Sequence, residues 1–365
     1  MRERNRGTGY HVPLFFLVIA AGAAGQTTSD WDLFRQVVMV PGISSQEGRV
    51  IDWIQARLPK GVKAERDAKN DLWFTVGQGK PHILFVAHAD ELGMTVETVT
   101  AQGTVRLKGR GGFLPQTCEA RPFVIHTARG PVDAVMLPRP DFDSRSPKPY
   151  SLEPYELYVG ASSEVEAKAL GIAAGDQVIF KKKIADLGPD ILATRAVDDR
   201  AGCASLLAAA LAVDWSKIKD RTITCAWSVE EEIGLYGASA LAKVLNPDYV
   251  FAIDTFVSTD SPLENKRFGN ARLGAGAVLR ALDSSNLVPK GELRKVMDLA
   301  ARRKIPVQVA NSRGGNDGSV FVAGGAVDIP LSWPGAHAHS FVEKIYRKDL
   351  EALTALIRAV MTDFE

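Results

Sequence analysis

Side chains that can bind a metal ion follow five apolar, strand-like segments of this sequence. Ligands of open α/β sheets bind beyond the carboxyl ends of the strands, so we expect these five ends to meet at one edge of a sheet. Such an edge would form an active site. The segments are ILFVAHADE (83–91), ATRAVDDR (193–200), CAWSVEEEIG (225–234), VFAIDT (250–255) and DIPLSWPGAHAHS (328–340).

The candidate ligands in these segments are imidazoles and carboxylates. They are His88, Asp198, Asp199, Glu230, Glu231, Glu232, Asp254, His337 and His339. Nitrogen and oxygen donors suit a divalent ion such as zinc, manganese or cobalt. The carboxylates outnumber what one catalytic ion needs, so a pair of ions bridged by one carboxylate would use the surplus. A neighbouring carboxylate that binds no metal could then act as general base and proton donor.

Each of these residues also has a simpler interpretation when it is taken alone. A single histidine such as His88 is more often a hydrogen-bonded residue than a ligand. An aspartate before an alanine-rich helix is often its N-cap, so Asp199 could cap the helix while Asp198 bridges two ions. Glu231 and Glu232 could be a solvated strand end. The metal hypothesis therefore depends on all five segments acting together.

Composition and charge exclude some classes of partner and leave a globular protein. The chain has 365 residues, 46% of them hydrophobic and 24% charged, with a formal net charge of +1. The length favours two domains, or one large domain with an insertion. Nucleic acids and anionic membranes select concentrated Lys and Arg, so the charge supports neither partner. Cys118, Cys203 and Cys225 form no even disulfide framework, and the latter two are predicted to be buried.

The first 25 residues have the order of a secretory leader. Arg2, Arg4 and Arg6 precede an apolar run at 12–21, which leads into the small residues at 22–25. The run is shorter than the ~20 residues that a bilayer span needs. We therefore expect residues 1–25 to be a cleaved export signal, which would make the protein periplasmic or secreted without stable membrane contact. An uncleaved anchor is the alternative.

The remaining sequence alternates between helical and strand-like segments, except for one region in which helical segments are nearly absent. Residues 26–95 and 187–365 are predicted to form a catalytic α/β domain, a doubly wound mixed sheet flanked by helices. Residues 96–186 are short alternating segments broken by Gly and Pro, and they predict an inserted, β-rich, barrel-like domain. Residues 30–40 have helical spacing, and apolar residues recur at helical spacing from Val50 to Leu58; Ser44 or Ser45 is predicted to cap this second helix. The lysine run at 181–183 is predicted to be solvated.

The successive motifs of the chain resemble the glutamyl and tetrahedral aminopeptidase family of dinuclear metallopeptidases, which includes cellulase M-like and endoglucanase-like proteins. The resemblance covers essentially the whole chain after the leader and implies a zinc-peptidase-like fold. The motifs are PGISSQEG (41–48), HADELG (88–93), YVGASSEVEAKALGIAAGDQV (158–178), AVDDRAGC (196–203), EEIGLYGA (231–238), AIDT (252–255), GGNDGS (314–319) and HSFVE (339–343).

The resemblance implies a role for each candidate residue. His88, Glu232, Asp254 and His339 would be the metal ligands, and Asp198 would bridge two divalent ions, zinc first and cobalt or manganese as alternatives. Glu231 would be the general base, and Asp90 would orient the imidazole of His88. A cis peptide bond between Asp198 and Asp199 is also implied. The substrates would be peptides cut at their N-terminal residue, and the protein would form a homo-oligomer.

Three positions depart from the family pattern. Glu230 extends the acidic run, although the register of the following IGLYGA favours Glu231 and Glu232. His337 is a rival to His339 as a metal ligand. In the GGNDGS motif, Asn316 stands where Thr or Ser is more usual, which weakens the case for Asp317 as a site residue. Two other functions stay open: a metal-dependent deacylase or carboxypeptidase with the same site, and an exported binding protein without catalysis.

Overall fold

The structure, a computed structural model, describes residues 29–113, 117–138, 155–258 and 271–365. The predicted leader lies outside these residues. Eight α-helices occur in the described part: α1 Asp30–Val37, α2 Gly48–Gln55, α3 Glu164–Ala169, α4 Val197–Ala212, α5 Tyr236–Leu241, α6 Lys290–Arg302, α7 Ser319–Val322 and α8 Arg347–Asp363. No helix in these ranges is both long enough and apolar enough to cross a membrane.

Eighteen strands occur in the same residues, and most of them are short. In chain order they are β1 Ala64–Arg66, β2 Leu72–Gly77, β3 His82–His88, β4 Gly93–Val99, β5 Val105–Arg110, β6 Pro122–Thr127, β7 Gly130–Met136, β8 Tyr155–Tyr158, β9 Gln177–Phe180, β10 Ala185–Asp186, β11 Ile191–Thr194, β12 Thr222–Ser228, β13 Tyr249–Val257, β14 Ala277–Leu282, β15 Val307–Asn311, β16 Val327–Asp328, β17 Leu331–Gly335 and β18 Glu343–Tyr346.

A nine-stranded mixed sheet forms the centre of the catalytic domain. Its order is β1-β2-β12-β3-β13-β17-β14-β15, with β16 also paired to β13. The strands β12, β3, β13 and β17 are mutually parallel neighbours. Their carboxyl ends therefore lie at one edge, as the sequence predicts for four of the five segments. The prediction is wrong for the segment before Asp198, because its strand β11 pairs with β10 and β18 in a separate sheet. The small sheet β10-β11-β18 contacts β17 of the large sheet through β18.

Helices cover both faces of the large sheet, because its buried strands are apolar on both sides. Ile83, Phe85 and Ala87 of β3 belong to the core that contains α1, α4 and α8. Leu84 and Val86 belong to the opposite core, with α5 and α7. The alternation along one strand confirms the doubly wound α/β architecture.

The predicted β-rich insert is a closed six-stranded barrel with its own core. The strands close in the order β4-β5-β8-β7-β6-β9, and β9 pairs back to β4. Apolar side chains such as Ile125 and Phe180 fill the interior. The barrel strands run from Gly93 to Phe180, while the domain limits at 96 and 186 stay predictions.

The prediction of a solvated lysine run is wrong for Lys182. Its ammonium group is buried and donates to Glu91 at 2.6 Å and to the Val38 carbonyl at 2.8 Å. Burial, opposed by Glu91, lowers its pKa to about 8. Lys181 pairs with Asp133 at the surface. Successive side chains of an extended segment point to opposite sides, so the segment after β9 turns one lysine outward and the next inward.

The predicted helix cap at Ser44 or Ser45 is also wrong. Helix α2 begins after Glu47 and has no side-chain cap. The Ser44 hydroxyl instead donates to Asp90 at 2.7 Å, and the Ser45 hydroxyl donates to Glu230 at 2.5 Å. Tertiary contacts with the site thus outcompete local capping.

Candidate active site

The strand ends bring the candidate ligands into two donor groups. The first donor group is His88, Asp198 and Asp254, and the second is Asp198, Glu232 and His339. Within each group one ligand atom per residue lies within 4.8 Å of the others. Asp198 belongs to both groups: its Oδ1 lies 3.2 Å from His88 Nε2 and its Oδ2 lies 3.6 Å from His339 Nε2.

The backbone at Asp198 and Asp199 departs from helical geometry. As a result, the two neighbouring carboxylates contact different groups. The peptide bond between Asp198 and Asp199 is cis, as the resemblance implies. Asp199 Oδ1 accepts from the Gly202 amide at 3.2 Å, and its Oδ2 accepts from the His88 amide at 3.1 Å. Asp199 therefore caps the helical turns of α4 that follow the kink, while Asp198 belongs to both donor groups.

Asp90 lies behind His88 and the acidic run. Its Oδ1 is 3.3 Å from His88 Nδ1. The same carboxylate accepts from the backbone amides of Glu231 at 3.1 Å and Glu232 at 3.2 Å. One buried carboxylate therefore holds the backbone of both glutamates and lies beside the His88 imidazole.

The three adjacent glutamates have three different surroundings. Glu230 has a left-handed φ of 56° and binds Ser45 and Lys69, each at 2.5 Å. Glu231 Oε2 lies 4.0 Å from His88 Nε2 but outside both donor groups. Glu232 Oε2 lies 3.5 Å from His339 Nε2. The left-handed backbone at Glu230 thus accompanies a side chain that faces away from the donor groups, whereas Glu231 and Glu232 line the cavity above them.

His339, and not its rival His337, belongs to the second donor group. A metal ion held by that group should be lost in His339→Ala and kept in His337→Ala, because His337 belongs to neither donor group. Metal content after dialysis, measured by mass spectrometry, checks this. Equal losses in the two variants would contradict the assignment.

Arg280 is a buried site residue that the sequence analysis missed. Its guanidinium lies 3.1 Å from Asp254 Oδ2, donates to Ser332 Oγ at 2.8 Å and to the Gly315 carbonyl at 2.9 Å, and contacts the Thr255 carbonyl. Arg280 therefore joins Asp254 to β17 and to the 312–315 loop. An arginine inside the apolar strand AVLRAL was a signal that could have revealed it.

Removing Arg280 should destabilise the fold because Asp254 would stay buried without its partner. We expect Arg280→Gln to lower the free energy of unfolding by about 3–5 kcal/mol, measured by urea unfolding of metal-free protein. The matched control is Arg303→Gln, which breaks the surface pair with Asp363 and should cost less than about 1 kcal/mol. Similar losses in the two variants would contradict the buried pair of Arg280 and Asp254 as a source of stability.

Two further acidic residues lie next to the site without entering a donor group. Glu343 accepts from the Asp198 amide at 2.9 Å and from Arg195, so it fixes the backbone of the shared aspartate. Asp317 is buried and accepts from the Ser228 hydroxyl. Burial raises the pKa of Asp317 to about 7. Glu343 stands in the HSFVE motif, but a single sequence does not show which partner it meets.

The electrostatics of the site favour a bound cation. Burial raises the pKa of Glu231, Asp254 and Asp199, and it raises that of Glu232 to about 7. These carboxylates are thus costly to ionise in the protein alone. Burial lowers the pKa of His339, but Glu232 and Asp198 outweigh it and raise the value to about 9. Clustered buried carboxylates with two imidazoles fit divalent cations with nitrogen and oxygen preferences.

A cavity of about 380 Å³ opens over the two donor groups. Its wall away from the ligands includes Val257, Ser312, Gly314 and Ala338. The cavity can therefore hold a small group, such as an amino-acid side chain, directly beside the ligands.

Known proteins match this chain over nearly its full length. The sequence profile of the M42 glutamyl aminopeptidase family matches residues 72–356. A glutamyl aminopeptidase of Lactococcus lactis subsp. cremoris is 29% identical over 91% of this chain and 96% of its own. A lysyl aminopeptidase of Pyrococcus furiosus is 27% identical over 92% of this chain and 98% of its own.

Solved structures show the same fold. The TET1 peptidase of Pyrococcus horikoshii superimposes with a TM-score of 0.83 at 31% identity, over 92% of this chain and all of that one. An endoglucanase structure from Thermotoga maritima has a TM-score of 0.72 at 23% identity, which shows the shared fold alone. The profile spans most of the sequence, including the segments of both donor groups, and the chain therefore belongs to the M42 glutamyl aminopeptidase family.

Proposed function

We propose that this protein is a dinuclear, metal-dependent aminopeptidase that removes N-terminal residues from peptides. Family membership makes it a metal-dependent aminopeptidase, and the proposal adds the number of ions and the residue roles. The observation that carries it is the presence of Asp198 in both donor groups. A carboxylate shared in this way is what a pair of neighbouring ions requires.

The chain would hold one ion with His88, Asp198 and Asp254, and the other with Asp198, Glu232 and His339. Zinc is the proposed metal, with cobalt and manganese as alternatives, because the donors are imidazoles and carboxylates. When bound, the ions lower the pKa of a water molecule and polarise the peptide carbonyl.

The protein's own groups move the proton. Glu231 is the proposed general base, because it lies 4.0 Å from His88 Nε2 and outside both donor groups. It takes the proton from the attacking water and returns it to the leaving amine. Asp90 supports this role because it accepts from the Glu231 amide and its carboxylate lies 3.3 Å from His88 Nδ1.

Hydrolysis of aminoacyl chromogenic substrates tests the proposal. We expect turnover of several free-amine substrates, its loss on chelation, and its return when zinc, cobalt or manganese is added. N-acetylated versions of the same substrates serve as the matched control and should not be cleaved. Release of acetate from the blocked substrates alone would favour the deacylase alternative, and removal of the C-terminal residue from an N-blocked peptide with a free carboxylate would favour the carboxypeptidase. Metal binding without any hydrolysis would favour the binding protein.

Assembly and location are also proposals. We propose a homo-oligomer, because structures of the Pyrococcus horikoshii relative are described as a dodecamer, a tetrahedron and an octahedral shell. Light scattering on the purified protein tests this. We also propose export, which rests on the order of basic, apolar and small residues at 1–25. N-terminal sequencing of the mature protein would detect cleavage near residue 25.

A further inference from the structure

The loop that carries His339 has a backbone that needs support from other parts of the protein. Ala336 and Lys344 close its base with two backbone hydrogen bonds, of 3.1 and 2.9 Å. Between them His337 and His339 have left-handed φ angles of 64° and 60°. Such angles cost roughly 1–2 kcal/mol for residues other than glycine. Contacts outside the strand pairing must therefore stabilise this conformation.

Hydrogen bonds inside the loop set its shape but not its position over the site. The Ser340 amide donates to the His337 carbonyl at 3.2 Å, and the Ser340 hydroxyl donates to the Val342 carbonyl at 2.7 Å. All of these partners move together with the loop. The position of the His339 imidazole must depend on side chains that leave the loop.

Phe341 is such a side chain, and it reaches the core of the barrel. Its ring packs edge-on against Phe180, with 5.3 Å between centroids and 77° between planes. Arg121 of the barrel lies over the same ring at 4.9 Å. Phe180 itself packs on Phe123 and Phe113. An aromatic cluster of the barrel therefore holds the loop two residues beyond His339.

The barrel also borders the second donor group with backbone. A Cβ atom on Gly112 would lie 4.0 Å from His339 Nδ1, and one on Gly111 would lie 3.4 Å from Glu232 Cβ. In the first donor group, by contrast, His88 and Asp254 stand on β3 and β13. Apart from the shared Asp198, the ligands of the second group thus approach the barrel, whereas those of the first stand on the sheet.

We propose that Phe341 is a positioning residue through which the barrel holds His339 in the second donor group. The inference rests on the proposed dinuclear function. It assigns the insert a part in metal binding, since loss of the Phe341 ring would leave the loop held by Glu343, which contacts Asp198 and Arg195, but no longer by the aromatic cluster of the barrel. Affinity for the second ion should fall, while affinity for the first should not change.

Zinc titration of the full-length, chelator-stripped protein tests this inference. We expect Phe341→Ala to weaken one binding step by at least about 10-fold, the scale for groups that orient a ligand. The weakened step should be the one that His339→Ala removes. Phe341→Leu keeps an apolar side chain but loses the aromatic edge contact, so it should weaken the same step less. If Phe341→Ala does not fold, the zinc affinities of Phe341→Leu test the inference instead.

The matched control is Val342→Ala, because Val342 follows Phe341 in the loop and is itself 41% exposed. It should bind both ions as the wild type does. Wild-type affinities in the Phe341 variants, or equal weakening of both steps, would overturn the role of Phe341. A wild type that binds a single ion would instead overturn the dinuclear proposal.

Discussion

Replacing Glu231 by Gln is expected to abolish peptide hydrolysis and leave both metal ions bound. Glutamine has the shape of glutamate but cannot take a proton from the attacking water. General-base catalysis contributes about 10²–10⁴-fold to a rate, so kcat should fall by at least about 10²-fold. The metal should stay because Glu231 lies outside both donor groups. The measurements are kcat on an aminoacyl substrate and metal content by mass spectrometry.

The neighbouring glutamates are matched controls for this variant. Glu230→Gln should keep wild-type kcat and metal content, since Glu230 binds Ser45 and Lys69 instead of facing the ligands. Glu232→Gln should lose one ion, because Glu232 belongs to the second donor group alone. Release of metal by Glu231→Gln would show that base and ligand are assigned to the wrong neighbours.

Replacing Asp198 by Ala should remove both ions and with them all activity. Asp198 is the residue common to the two donor groups. Its loss also leaves His88 Nε2 and His339 Nε2 without the oxygens that lie 3.2 and 3.6 Å away. Titration with zinc, followed by metal analysis after dialysis, measures the loss.

The comparison with Asp254→Ala makes the bridging role specific. Asp254 belongs to the first donor group alone, so this variant should lose one ion and keep the other. If Asp198→Ala also kept one ion at wild-type affinity, Asp198 would be a ligand of a single metal. That result would contradict its role as a bridge between two ions.

The fold was largely predictable because its signals are local. Apolar runs such as ILFVA mark strands that are buried on both faces, and apolar residues at helical spacing mark α2. The change to short alternating segments predicted the barrel. The strand ends that carry His88 and Asp254 could be assigned to one edge because parallel strands share their carboxyl end.

The details of the site were less predictable because they depend on contacts between distant residues. Glu230 and Glu231 are chemically identical, and a left-handed backbone with contacts to Ser45 and Lys69 separates them. Arg280 on β14 reaches Asp254 on β13 across the intervening strand β17. Lys182 is buried against Glu91 although it stands in a run of lysines. Nothing in the neighbouring residues encodes these partners.

The sequence by itself determined the family, the α/β sheet with its inserted barrel, and the residue types that can bind a divalent ion. Periodicity and donor chemistry are written in short stretches of chain, so they can be read without coordinates. Only the tertiary structure decided that Asp198 lies between two donor groups, that His339 and not His337 joins them, and that the barrel reaches this loop through Phe341. Those outcomes depend on which distant segments pack together, because a few ångströms separate a ligand from a neighbour of the same type.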